Sequence, residues 1–323
     1  MRRYLDQRLK LPLLRAADVI AQHGSISKAS KALGVSQPAL TKSLRELEDI
    51  LQTRLFERHS RGVRITAAGE RVLRSSRKVL AELSRLEDTL DELSSPEGWA
   101  VAVGALPVAA NGVLPGVLAR LKDQHPGIRL RLQEGRTEDL LPLLDAGELD
   151  VIVGRLYAPP VPDGFAREPL WSEPISLLAR AGHPILGQQP VTAAAIAGCE
   201  LVLPTITQRV GQDIAHFLAR LDLAPVRPLR SNSYGFIREM LHSTDMLSAM
   251  PRLMMVGDLL RGTLRVVPLA IAAPDRPAGL ILARDRPLTP PAQAFATVLR
   301  DYIADLARRG LVPPPAGSGG AGV

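Results

Sequence analysis

Residues 25–70 read SISKASKALGVSQPALTKSLRELEDILQTRLFERHSRGVRITAAGE, and this stretch decides the fold of the first quarter of the chain. Ser25 stands where a helix N-cap would, and Ile26, Ala29, Ala32 and Leu33 repeat at the spacing of one apolar helix face. Gly34-Val35 ends that helix. Ser36 is a second N-cap, and Pro38 falls in the first turn of the next helix, where a missing N–H costs nothing. This helix runs to about Ile50, turning Leu40, Leu44 and Leu47 inward and Gln37, Pro38, Thr41, Lys42 and Arg45 outward. Upstream, Leu13, Leu14, Ala17 and Ile20 mark another amphipathic helix that ends near His23-Gly24. Two short helices joined by a tight Gly-containing turn, the second displaying polar residues from its N-terminal half, form the pattern of a helix-turn-helix. An ordinary helical hairpin with a polar outer face is the alternative.

The outward residues suit duplex DNA. A major groove admits a helix; Gln pairs bidentately with adenine, Lys or Arg with guanine, and an apolar group such as the Pro38 ring meets a thymine methyl. After Leu55-Phe56, ERHSRGVRIT carries Arg58, Arg61 and Arg64 around Gly62, then alternates at Val63 and Ile65. That predicts a two-stranded wing whose arginines reach phosphates or a narrow minor groove, although surface turns also carry arginines for no such reason. Thr66 caps the longest helix, 67–94. Its apolar positions Val72, Val79, Leu83, Leu86, Leu90 and Leu93 step by 7, 4, 3, 4 and 3, an a/d seam in which Ser76 takes the place of one apolar residue. Either a second copy of the chain covers that seam or the body does. Dimerisation would hold two heads at fixed spacing on two half-sites.

Charge supports the division. The 323 residues carry a net +7, yet residues 1–80 hold 17 Lys and Arg against 7 Asp and Glu, while the rest hold 23 against 26. A basic head on a mildly acidic body points to a polyanionic partner for the head alone. With 46% apolar and 23% charged residues the chain has a globular composition, and its length suits two or more domains. No apolar run is long enough to span a membrane, and MRRYLDQRLK lacks the apolar core of a signal peptide, so a cytoplasmic, nucleoid-associated location is expected. The single cysteine, Cys199, forms no intrachain disulfide or thiolate zinc cage and is expected at a core edge.

The segment from Leu11 to Leu80 resembles the N-terminal signature of LysR-type transcriptional regulators, in which the VSQPAL, LFER, RGVRIT and TAAGE motifs follow one another in this order and spacing. The resemblance implies that Gln37, Pro38, Thr41 and Lys42 meet base edges, and that Ser36, Arg45 and Arg58 meet phosphates or the minor groove. It also implies a dimerising helix, a tetramer on DNA, and an effector domain of roughly 200 residues.

The body reads as alternating strands and helices. After a polar hinge at 94–98 come VAVGA, a helix at Val113–His125, IRLRLQEG, a helix at Glu138–Gly147 and LDVIVGR, a βαβαβ run that predicts a parallel sheet. From Glu168 the pattern restarts with PISLLAR and CELVLP, and it closes with LRVVPL, AGLILARD and a helix from Thr289 to Arg309. Crossovers at about 164–172 and 262–270 would then join two lobes of a periplasmic-binding-protein-like domain, which the resemblance also implies. The expected class is therefore α/β. It comprises a winged helix-turn-helix (1–66), a linker helix (67–94), an effector domain (95–311) and a disordered tail (312–323). Lobe I would take about 99–167 and 270–311, lobe II about 168–269.

Ligands of open α/β lobes sit beyond the carboxyl ends of strands. The loops there hold Leu106, Pro107, Val108, Glu134 and Arg155 in one lobe and Pro204, Thr205, Arg209, Asn232 and Ser233 in the other. Many relatives place a hydroxyl where Leu106-Pro107-Val108 stands, so carboxylate capture by a hydroxyl there is not expected. Arg155 and Arg209 are the candidate anion partners, unless they serve surface ion pairs. STDMLSAMPRLM stands where much of the family has a glycine-containing turn; with VGRL and TKSLRELE it is most similar to regulators of sugar-binding-protein and protocatechuate catabolism operons. The six histidines have no metal-ligand spacing, Asp213 and His216 read as a surface pair, and GxxxxGK[ST] and GxSxG are absent. No cofactor, metal or enzyme activity is expected. The expected function is sequence-specific DNA binding governed by a sugar, aromatic acid or other organic acid between the lobes. The alternative is a constitutive repressor or activator with no physiological effector.

Overall fold

The computed structural model describes residues 5–59, 62–94, 100–159, 162–205, 208–223, 228–269 and 276–313. They fall into two compact units, Met1–Ala100 with Glu138–Leu149, and Val101–Thr137 with Asp150–Val323.

The first unit begins with α1 (Leu5–Arg8), α2 (Leu11–His23), α3 (Ile26–Ala32) and α4 (Gln37–Leu51), continues through β1 (Phe56–His59) and β2 (Gly62–Ile65), and leads into α5 (Ala67–Ser94). Fully buried Ala17 and Ala29, with no bulk beyond Cβ, let α2 and α3 approach, and Leu40, Leu47 and Leu55 close the core beneath them. Gly34 turns the chain between α3 and α4 at φ +65°, a left-handed conformation that costs a side-chain-bearing residue free energy. Thr66 Oγ1 accepts from Gly69 N at 2.9 Å and so caps α5. The first turns of α5 belong to the head: Leu73 is buried there, Val72 packs beside it, and Arg77 pairs with Asp18 of α2 at 2.6 Å. Ser76 is buried in the gap of the apolar seam and gives its hydroxyl proton to Val72 O at 2.9 Å.

The second unit starts with β3 (Ala100–Ala105), a π-turn (Ala109–Val113), α6 (Leu114–Gln124) and β4 (Arg129–Glu134). Next come α7 (Thr137–Ala146), most of which groups with the first unit, and β5 (Val151–Arg155). In that first unit Asp145 of α7 pairs with Arg74 and Lys78 of α5 at 3.8 and 3.2 Å. The chain goes on through β6 (Phe165–Ser172), β7 (Ile175–Arg180), α8 (Ala193–Ala197), β8 (Val202–Pro204), α9 (Gln208–Ala219), β9 (Leu229–Ser231) and α10 (Tyr234–Ser243). It closes with β10 (Ser248–Pro251), α11 (Val256–Arg261), β11 (Leu264–Val266), β12 (Pro277–Ala283) and α12 (Pro290–Arg308).

Lobe I is built on a five-stranded sheet ordered β4-β3-β5-β12-β6. β3 and β5 are parallel, but β12 runs antiparallel to β5 and β6. The expected parallel sheet is thus mixed, because β12 returns from lobe II entering at the opposite end. β6, expected as a crossover, is an eight-residue edge strand. Its Pro169 sits beside the register shift at Ala278/Gly279, where the ladder tolerates a missing donor, and its Arg167 and Glu168 find partners in Asp163 and Arg300. In lobe II, β7 lies between antiparallel β10 and β11, while β8 pairs with β9 in parallel. A bridge from Leu201 to Leu247 joins these two sheets.

One apolar cluster runs through both lobes, from Val103, Val153 and Phe295 to Leu178, Val202, Ile237 and Met250. At Gly112 a Cβ would stand 1.9 Å from Leu253 O, so only glycine lets the π-turn of lobe I approach lobe II this closely. The expected disordered tail from 312 starts too early: Val312 is buried in this cluster and Pro313 O accepts from Ser172 N at 3.0 Å. Residues 314–323 and the hinge at 95–98 lie outside the described residues.

Candidate DNA interface and effector cleft

In the first unit, Ser36 Oγ accepts from Ala39 N at 3.3 Å and starts α4. From there Gln37, Pro38, Lys42 and Arg45 are exposed along one row, with Thr41 half-buried among them. A groove of about 1030 Å³ runs along this row, and its opposite wall is Gln7, Arg8 and Lys10. Those three were not among the expected contacts; the only sequence signal for them is the basic composition of MRRYLDQRLK. Glu46, Asp49 and Ile50 also line the groove. Lys10 reaches Glu46 at 3.4 Å, an exposed and weak pair that a phosphate could replace.

The wing is anchored on both sides. Glu48 is 7% exposed, and its Oε1 accepts from Leu55 N at 2.7 Å and Phe56 N at 3.2 Å. On the other strand, Val63 N donates to Gly24 O at 3.1 Å. The ladder places Arg64 opposite Glu57 and Arg58 opposite Val63, and Arg64 is exposed. The Arg58 side chain and all of Arg61 lie outside the described residues, as does the Leu93 side chain. Along α5, Val79, Leu86 and Leu90 are 47%, 54% and 53% exposed, and Leu83 is half-buried.

In the second unit, strand ends supply the cleft. Leu106 and Pro107 are half-buried and Val108 is buried. Thr205 N donates to Ser231 O at 2.7 Å, which holds the ends of β8 and β9 together beside exposed Asn232. Ser233 Oγ caps α10 by accepting from Phe236 N at 3.2 Å, and Pro204 is buried at the end of β8. The Arg209 side chain is outside the described residues. Glu134 faces Tyr234 of the opposite lobe, whose phenol burial and that carboxylate push up to about 12.

A buried charge cluster was not expected as a unit. Arg155, at the end of β5, gives a hydrogen bond to Asp213 of α9 in lobe II, so the two lobes are bridged. Asp213 therefore does not serve as a surface partner of His216, as the i, i+3 spacing had suggested. Arg276, at the crossover into β12, is 2% exposed. Its Nη2 lies 3.1 Å from Asp213 Oδ2, off the line of a hydrogen bond, and none of its guanidinium nitrogens has a hydrogen-bond partner among the described residues. Glu173, in the paired crossover, is buried, and burial pushes its carboxyl up to about 7 despite Arg276 and Arg155 nearby. The Arg155 guanidinium also covers the Tyr157 ring at 5.0 Å. Cys199 is half-buried, its thiol donates to Ala195 O at 3.4 Å, and burial together with Asp245 raises its pKa.

Two domain families match the chain. Residues 11–70 match the bacterial regulatory helix-turn-helix protein, lysR family, and residues 96–304 match the LysR substrate binding domain. The chain belongs to the LysR family of transcriptional regulators. This LysR-type regulator is 31% identical over 304 residues to the HTH-type transcriptional regulator PcaQ of Agrobacterium fabrum, covering 94% of this chain and 97% of PcaQ. It is 27% identical over 318 residues to GbpR of Azospirillum brasilense, covering 98% and 93%. Full-length OxyR from Pseudomonas aeruginosa shares its fold with a TM-score of 0.60 at 24% identity, over 91% of this chain and 94% of that one. As a LysR-type regulator the protein joins a DNA-binding head to an effector-binding domain. No described helix is long and apolar enough to cross a membrane.

Proposed function

We propose that two copies pair along the 67–94 helix, that pairs assemble into tetramers, and that each pair reads an interrupted palindrome in the cytoplasm. The carrying observation is the pair of exposed features on one unit: a capped helix displaying Gln37, Pro38, Lys42 and Arg45, and an apolar seam whose Val79, Leu86 and Leu90 stand about half exposed. Gln37, Pro38, Thr41 and Lys42 read bases. Ser36, Arg45, Arg58, Arg61 and Arg64 position the head on phosphates or in the minor groove. An organic metabolite binds between the lobes, against Leu106, Pro107, Val108, Glu134 and Arg155 on one side and Pro204, Thr205, Arg209, Asn232 and Ser233 on the other. Arg276 and Tyr234 complete that set. It shifts the DNA-bound state only by binding one arrangement of the lobes more tightly than the other. The parts divide at 1–66, 67–94 and 95–311, with β6 extending lobe I to Ser172.

The test is operator affinity measured against salt. Phosphate neutralisation makes log affinity fall linearly with log salt, by about 0.9 per phosphate contacted. A steep slope on operator DNA, together with preference over scrambled DNA, supports the reading; a flat slope and no preference overturn it.

A further inference from the structure

We infer that Asp213 is a built-in counter-ion on Arg155 and Arg276 that a carboxylate effector displaces, so that effector binding and the bridge between the lobes exclude each other. This rests on the effector-cleft reading above and adds to it the ligand's chemical class and how its binding reaches the lobes.

The argument starts from charge. A guanidinium presents five N–H donors in a fixed fork, and burying it without partners is costly. Arg276 is 2% exposed, and among the described residues no nitrogen of its guanidinium has a hydrogen-bond partner. Arg155 lies beside it with a side chain 16% exposed. Facing these two full positive charges are Asp213 and Glu173. Glu173 carries less than a full charge near neutrality, since burial holds its carboxyl at about 7. The cluster therefore keeps a positive excess. Asp213 satisfies Arg155 by a hydrogen bond but meets Arg276 only as a nearby charge. A carboxylate is the group that fills such a fork bidentately. A neutral sugar that displaced Asp213 would offer hydroxyls but leave both arginines facing Glu173 alone.

Position adds the direction of control. Arg155 belongs to lobe I, Asp213 to α9 of lobe II, and Arg276 to the crossover between them. Asp213 is the outermost of the three, its side chain 33% exposed, so a ligand arriving from solvent meets the aspartate first. When a carboxylate takes its place, the ionic tie of α9 to β5 is lost while Arg155 keeps an anionic partner. Effector affinity is then reduced by the fraction of molecules in which Asp213 already occupies the arginines.

Trp171 is fully buried and stands two residues before Glu173, which makes it a reporter. The experiment uses the full chain with Trp99→Phe, leaving Trp171 as its one tryptophan. Acetate and benzoate are titrated against acetamide and benzamide, which match them in shape without the charge. The carboxylates are expected to shift Trp171 emission and the amides to leave it unchanged. Asp213→Asn should bind both carboxylates about tenfold more tightly, and should melt lower than the parent in chloride but recover in benzoate. Asp213→Glu, which keeps the counter-ion, should behave like the parent. Equal binding of amide and acid, no binding to either protein, or unchanged affinity in Asp213→Asn each overturns the proposal. Operator binding by the parent is measured on the same samples. Its absence would defeat the regulator reading and leave the carboxylate result standing.

Discussion

Removing the Glu48 carboxylate tests how the wing is held to the recognition helix. Glu48→Ala takes the acceptor from Leu55 N and Phe56 N, both at buried residues. Each buried N–H left without an acceptor costs about 1–3 kcal/mol, and the two share one oxygen, so a total of about 2–4 kcal/mol is expected. The Arg54 pair adds little, since that arginine is 81% exposed. Glu48→Gln keeps an oxygen at the same place and should cost about 1 kcal/mol, the difference between a charged and a neutral acceptor. Amide hydrogen exchange across 52–66 reads this directly: at 1.4 kcal/mol per tenfold, Glu48→Ala should speed exchange about 30- to 700-fold. Operator affinity should fall with it. Wild-type protection in Glu48→Ala, or equal damage from both substitutions, would refute the anchoring argument.

Lys42→Ala should cost about 1–3 kcal/mol of operator affinity and relax base preference, whereas Arg58→Ala should weaken binding to all sequences alike; gel shifts on operator and scrambled DNA separate them. Leu86→Glu with Leu90→Glu should convert dimers to monomers, since each buried leucine contributes about 1.5–3 kcal/mol to such a seam; sedimentation reads the mass, and an intact dimer would place the interface elsewhere. Glu173 holds its proton to about 7 in the folded chain but to 4.5 when free, so over that window the native state binds more protons and stability falls as pH rises. Glu173→Gln should abolish that fall and melt above wild type by about 1–3 kcal/mol at pH 7 and beyond; a melting temperature that parallels wild type from pH 5 to 8 would contradict the burial argument. Cys199→Ser should leave operator binding unchanged with or without peroxide, because a thiol of raised pKa offers little thiolate; a peroxide effect lost in the variant would show a reactive cysteine.

The head was readable because its signals are local. N-caps at Ser25 and Ser36, inward Leu40, Leu44 and Leu47, and Gly34 in the turn each follow from a few neighbouring residues, and the helices begin and end within about two residues of expectation. The body was harder where pairing is long-range. β6 and β12 are more than 100 residues apart in the chain, so nothing near FAREPLWS announces an edge strand and nothing near AGLILARD announces an antiparallel return. The cleft shows the same limit. Arg155 was legible as a strand-end arginine, but its partners Asp213 and Arg276 come from a helix and a crossover with no motif of their own. Likewise Val72 fits the a/d seam by spacing, and only packing shows it beside the head core.

The most direct measurement is a footprint of the purified protein on the intergenic DNA upstream of its own gene, with and without benzoate and related acids. Two protected half-sites about one helical turn or a multiple apart, with a pattern that changes on adding an acid, are expected. Absence of specific protection would contradict the account of the head. Protection that no carboxylate alters would contradict the account of the cleft and favour constitutive binding.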